Sequence, residues 1–264
     1  MVRFAQKVSL LIFYSLLFTP LAYAQSSDCL NTSDKPGATN SPGGYAVQGE
    51  NQCLPTADVN AGLDQGYTIS PEMPLYDDSS GTTPADAANL MARCMESFGV
   101  YGPSNGTDIG SSDYPKALCY CNGVVFGQKF ECYRTFFGDS GANFADMQLF
   151  ETLRKDANAI VIFHVVLRRK CPPYHSFLYH AMQFRGVSQS IPSTKPRDVA
   201  QLGEPQHRSS SSGGPGGGTV LISDPNEPDE TIEIQVGNDG SISSPDIWID
   251  TDVARIRGVT VKLP

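Results

Sequence analysis

All seven cysteines of this chain, Cys29, Cys53, Cys94, Cys119, Cys121, Cys132 and Cys171, stand downstream of an N-terminal export signature. That signature consists of Arg3 and Lys7, an apolar run from Val8 to Phe18, the helix-breaking pair Thr19-Pro20, and Ala22-Tyr23-Ala24 with small residues at both recognition positions. The order predicts a signal peptide over residues 1–24. A membrane anchor fits less well, because the run is about half the roughly 20 residues a spanning helix needs and Pro20 interrupts its end. Every cysteine is therefore expected to reach an oxidising compartment, secreted or periplasmic, where thiols pair.

Seven is odd, so at least one thiol must stay unpaired or pair elsewhere. Cys29 and Cys53 sit alone in a loop-rich N-terminal stretch and are the first expected bridge, a closure that would stabilise the fold by about 3 kcal/mol. Cys119 and Cys121 are two apart. On a strand both would face one side and reach different partners among Cys94, Cys132 and Cys171. Cys119-Tyr120-Cys121 is too short for the paired spacing of structural zinc, so no metal and no cofactor are expected.

Residues 25–82 are rich in Gly, Ser, Pro, Asn and Asp, and read as an extended, partly ordered arm. Thr83, Pro84 and Asp86 then open a helix whose apolar positions Ala87, Leu90, Met91, Cys94 and Phe98 share a face, with Gly99 beyond its end. Residues 117–137 alternate aromatic, aliphatic and cysteine residues around Asn122-Gly123 and Gly127 and predict two short strands, with a helix over Lys129 to Phe136 as the alternative. Asn143 caps a second helix carrying Phe144, Met147, Phe150, Leu153 and Ala157. Ile160 to Leu167 is short and rich in β-branched residues, the pattern of a buried central strand. A third helix is expected over Pro173 to Phe184, stopping at Gly186.

The fold class expected is thus α+β: a small disulfide-stapled domain over 83–186 with about three helices and a short sheet. A Ser/Gly/Pro-rich linker follows over 187–218, then a small antiparallel β module over 219–264. Ile232, Ile234 and Val236 alternate with polar residues before the turn Gly237-Asn238-Asp239-Gly240, a hairpin signature. Four short strands make a marginal core, so self-association through this module is expected. No segment beyond the signal is long enough to span a bilayer. The formal charge of −9, which becomes −11 once Arg3 and Lys7 are removed, lies mostly in the two flanks and argues against a nucleic-acid partner.

Several residues could carry chemistry. Gly138-Asp139-Ser140-Gly141 resembles the nucleophile motif of chymotrypsin-like serine proteases, but Ala142-Asn143 follow it, and His164, His175, His180 and His207 all lie after Ser140 where that family places its histidine before. An esterase of the SGNH type would need a late Asp-x-x-His, and the nearest match, Glu204-Pro205-Gln206-His207, falls in the linker. Cys171, His175 and His180 could hold a metal, but on a helix residues five apart face different ways. Asp224, Glu227, Asp229, Glu230, Asp250 and Asp252 offer oxygens to calcium without matching an EF-hand.

No complete catalytic set is visible along the chain. The leading expectation is a non-enzymatic binding protein for another protein or a cell surface. The alternatives are a structural subunit of an envelope assembly, or a small extracellular hydrolase. That hydrolase would use Ser140 or an unpaired cysteine as nucleophile and His164, His175 or His180 as base.

Overall fold

In the computed structural model the described residues are 37–72, 82–170, 176–188, 217–248 and 250–264, and they belong to one compact unit spanning 31–264. The expected signal peptide, Cys29, Cys171, His175, His207 and most of the expected linker lie outside the described residues.

The chain begins with a hairpin of β1 (Thr39–Asn40) and β2 (Ala46–Val47), followed by helices α1 (Cys53–Asp64) and α2 (Pro84–Ser97). A small hairpin of β3 (Tyr101–Gly102) and β4 (Gly106–Thr107) precedes α3 (Tyr114–Phe126), β5 (Glu131–Phe136) and α4 (Phe144–Asp156). The remaining elements are strands: β6 (Ile160–Arg169), β7 (Ser176–Val187), β8 (Gly217–Ser223), β9 (Ile232–Gly237), β10 (Ile242–Ser243), β11 (Asp246–Trp248) and β12 (Thr251–Leu263). These seven form one antiparallel sheet in the order β10-β9-β8-β7-β6-β12-β11, and β5, paired to β12, is its eighth strand. The mixed α/β class expected from the sequence is what the structure has.

β6 is buried on both faces, which is why it reads as an unbroken apolar run. Its alternation divides the core. Ile160 and Ile162 pack with α1, α2 and α3, while Val161, Phe163, Val165 and Leu167 pack on the opposite face against Met147, Phe150 and Leu153 of α4. Both helices foreseen from their caps are present with full capping boxes: Thr83 with Asp86, and Asn143 with Asp146.

α1 replaces the expected arm. Leu54 through Gly62 are all buried, so this helix is enclosed rather than amphipathic, and its small residues let it approach its neighbours closely. A Cβ on Gly62 would meet Phe126 at 2.3 Å. Its polar residues are used internally. Asn60 donates to the carbonyl of Ala46 and accepts from its N–H, each at 2.8 Å. Asp58 pairs with the fully buried Lys262 of β12 and accepts from Asn122 Nδ2 at 2.6 Å. A polar composition thus conceals a core helix.

Of the two strands expected over 117–137 one is present, β5, while residues 114–126 are helical. Cys119 and Cys121 therefore point to different sides and reach different partners, Cys132 and Cys94. These two bridges fit an oxidising, extracellular or periplasmic environment. Cys53, expected to join Cys29, carries a free thiol.

The helix expected over Pro173 to Phe184 is β7, which pairs with β6 from Arg169↔Ser176 to Ile162↔Gln183 and with β8 beyond it. Its aromatic spacing suits either period; pairing on both sides decides for the strand. The C-terminal strands expected as a module of their own extend that same sheet, since β8 joins β7 and β12 lies against β6 over ten register pairs. Among the described residues no helix is long and apolar enough to cross a membrane.

Candidate active site

β8 leaves the sheet after Ser223, its last partner on β7 being Gln183. Past that point the edge of β7 is uncovered among the described residues, and the N-terminus of α1 meets it there. Three side chains converge: Cys53 at the first residue of α1, His180 on β7, and Asp224 immediately after β8.

Asp224 is almost fully buried. Its Oδ1 accepts from His180 Nε2 at 3.1 Å and from the backbone N–H of Asn226 at 2.8 Å. Asp-Pro-Asn after a strand is a turn-forming sequence, and here the turn holds the carboxylate in place. With Nε2 committed to the acid, Nδ1 is the ring nitrogen left for Cys53, whose thiol is in hydrogen-bonding contact with His180.

The electrostatics favour the charged pair. Burial alone would push the Cys53 thiol up, but the hydrogen bond and positive charge of His180, with the backbone N–H groups of Ala181 and Leu54, hold it below its ordinary value. Burial alone would lower His180, yet Asp224 and Cys53 raise it to about 10. Asp224 in turn is held below the usual carboxylate range against its own burial, chiefly by the charge of His180. All three shifts act in the direction of a thiolate, an imidazolium and a carboxylate in series. The helix N-terminus adds positive potential at the sulfur.

Trp248 closes this group from one side. Its ring packs edge-on against His180 with centroids 5.1 Å apart. The loop before Cys53 is tightly folded. Asn51 adopts φ 57°, a left-handed conformation uncommon outside glycine, and its Nδ2 donates to the carbonyl of Pro103 at 2.7 Å. A Cβ on Gly49 would collide with Gly37 at 2.5 Å, so the chain passes itself there on glycine alone.

A pocket of about 360 Å³ opens over the thiol, lined by Asn51, Cys53 and Leu54, by residues 105–109 after the β3–β4 turn, and by His164, Tyr179, His180 and Ala181. Arg134 holds its outer wall by donating to the carbonyls of Ile109 and Ser111. His164 forms part of the floor. Burial, and then the charge of Arg134, lowers it to about 3, so it is a neutral ring bonded to Thr260 Oγ1 at 2.7 Å.

Of the residues singled out in the sequence, the structure brings together Cys53, His164 and His180. Ser140 lies on an exposed turn before α4, and Gly141 N–H closes that turn onto Gly138. His175 lies outside the described residues. The acidic residues considered for calcium have other uses: Asp224 serves His180, Asp229 accepts from Ser41, and Asp252 pairs with Arg168 and Lys170. No group of three or more metal-ligating side chains occurs among the described residues.

Trp248 and Asn51 were not visible as site residues, and Asp224 was read only as an oxygen donor for calcium. The available signals were the odd cysteine count, the chain order Cys, His, Asp, and Pro55 in the first turn after Cys53, a helix-start position. No family model matches the chain, and no curated protein or solved structure matches it.

Proposed function

We propose that the protein is a cysteine-dependent acyl-transfer enzyme, a hydrolase when water is the acceptor, working outside the cytoplasm. This is the hydrolase reading of the sequence with its nucleophile and base specified. The observation that carries it is the Cys53, His180 and Asp224 series at the wall of an open pocket. Nucleophile, base and orienting acid in hydrogen-bonding sequence define this class of chemistry, which recurs on unrelated folds, papain-like proteases among them.

In the proposed reaction Cys53 Sγ attacks the carbonyl carbon of an amide, ester or thioester. The S–C bond forms as the C=O π pair moves onto oxygen. A first-turn N–H of α1 that the helix itself cannot pair receives this oxyanion. His180 Nδ1–H then gives its proton to the leaving group as that bond breaks. The neutral imidazole next takes a proton from water, which attacks the acyl-enzyme and restores the thiolate. Asp224 keeps the ring oriented and its charge balanced throughout.

A p-nitrophenyl acetate burst tests this directly. One equivalent of p-nitrophenol per chain, with a single acetyl group found by peptide mapping on Cys53, is expected. Cys53→Ala should lose both the burst and turnover, by at least about a thousandfold. A burst of undiminished size in Cys53→Ala would remove the proposal.

A further inference from the structure

The uncovered edge of β7 extends beyond the three catalytic side chains, and the register shows what it presents. His164 pairs with Ala181 and Val165 with His180, while the N–H of Ala181 is turned outward to Cys53 Sγ. In a strand, main-chain groups alternate between the two edges with period two. Tyr179 and Phe177 therefore direct their N–H and C=O groups to the same edge as Ala181. Among the described residues no strand pairs with them there.

From Ala181 to Phe177 the run is about 13 Å long, enough for a peptide of about four residues. Open edges are normally blunted by charge or proline. This one instead carries two large apolar side chains, Phe177 and Tyr179, which are 58% and 66% exposed. Tyr179 also lines the pocket over the thiol, and its hydroxyl accepts from Arg257 at 3.4 Å, which fixes the direction of the ring.

We propose that the substrate is an extended peptide that pairs as an added strand with the Phe177–Tyr179 edge of β7, so that its scissile carbonyl falls at Cys53. Main-chain hydrogen bonds supply the affinity, and the two rings supply the side-chain preference. The inference rests on the acyl-transfer reading and deepens it, since it selects peptides among possible acyl donors. A small acyl ester engages the pocket alone, whereas a peptide engages both pocket and edge.

The test uses acyloxymethyl ketones, whose carboxylate leaves as Cys53 Sγ bonds to the methylene carbon. Three probes share one reactive group: an acetylglycyl derivative, a panel of tripeptidyl derivatives with aromatic and aliphatic side chains, and the fastest tripeptide with one backbone nitrogen methylated. Labelling of Cys53 in the full mature chain is followed by intact mass, with iodoacetamide as an independent measure of thiol reactivity. The fastest tripeptide should outpace the acetylglycyl probe by at least about thirtyfold, and N-methylation should remove at least about fivefold of that, one lost hydrogen bond. Phe177→Ala and Tyr179→Ala should each lower the ratio of tripeptide to acetylglycyl rates. Equal rates for all three probes while iodoacetamide labels Cys53 would overturn the peptide assignment and leave the acyl-transfer proposal standing. Failure of every reagent to label Cys53 would overturn both.

Discussion

The backbone N–H of Gln48 donates to the carbonyl of Pro225 at 2.8 Å, joining the loop that leads to the nucleophile to the residue that follows the acid. Cys53 and Asp224 are far apart in the chain, and this hydrogen bond is one of the few direct ties between their loops. Gln48→Pro removes the donor, and Val47 before it is already extended in β2, as the residue before a proline must be. Gln48→Ala keeps the donor. The proline variant should have a kcat/KM at least about fivefold below the alanine variant, the equivalent of roughly 1 kcal/mol for one backbone hydrogen bond. Steady-state kinetics on the two proteins checks it.

The pH dependence of reaction at Cys53 should be broad. Thiolate forms above the lowered Cys53 value, and the imidazolium survives until His180 titrates near 10. Activity therefore rises as pH climbs through the lowered Cys53 value and falls in the alkaline range. Iodoacetamide labelling against pH should show its acid midpoint below that of a free cysteine, ordinarily about 8.5.

Asp224→Asn keeps a hydrogen-bonding group beside His180 and deletes the charge that most raises it. Burial then dominates, so the alkaline limb of the activity profile should move down by more than one unit. Turnover should fall, though by less than the ~10⁴ lost when a serine triad loses its aspartate charge, because hydrogen bonds from Ala181 and Leu54 still support the thiolate. A profile superimposable on that of the unaltered protein would show that Asp224 does not set the charge of the ring.

Lys262 and Asp58 are both wholly enclosed, and burial pulls the lysine well below its usual value. Removing one partner leaves the other's polar group buried without its counterpart. Asp58→Ala should cost about 3–5 kcal/mol of unfolding free energy, whereas Asp58→Leu with Lys262→Met should cost far less or nothing. Urea unfolding of the single and double variants separates the two cases.

What could be read in advance was whatever short-range chemistry decides. The caps Thr83 and Asn143 announce α2 and α4 because each capping box is complete within four residues. Ile160 to Leu167 declares a strand because β-branched side chains dominate it. α1 was hidden because its stabilising contacts are tertiary: Asp58 finds Lys262, Asn60 finds Ala46, and Gly62 makes room for Phe126. β7 was read with the wrong period because its spacing of aromatics suits a helix until β6 and β8 are placed beside it. Cys53, His180 and Asp224 meet only through that pairing, so the candidate site was legible as a set of residue types and not as an arrangement.

The chain contains a single tryptophan, and it is Trp248, packed edge-on against the ring whose charge governs the thiol. A protonated imidazole in contact with an indole quenches its emission, and a neutral one does so far less. The protein thus carries its own optical gauge. Fluorescence should brighten as His180 loses its proton in the alkaline range, and should change again when a reagent or substrate occupies Cys53. The state of the Cys53–His180 pair can then be followed without a label, in the same cuvette in which reaction at the thiol is measured.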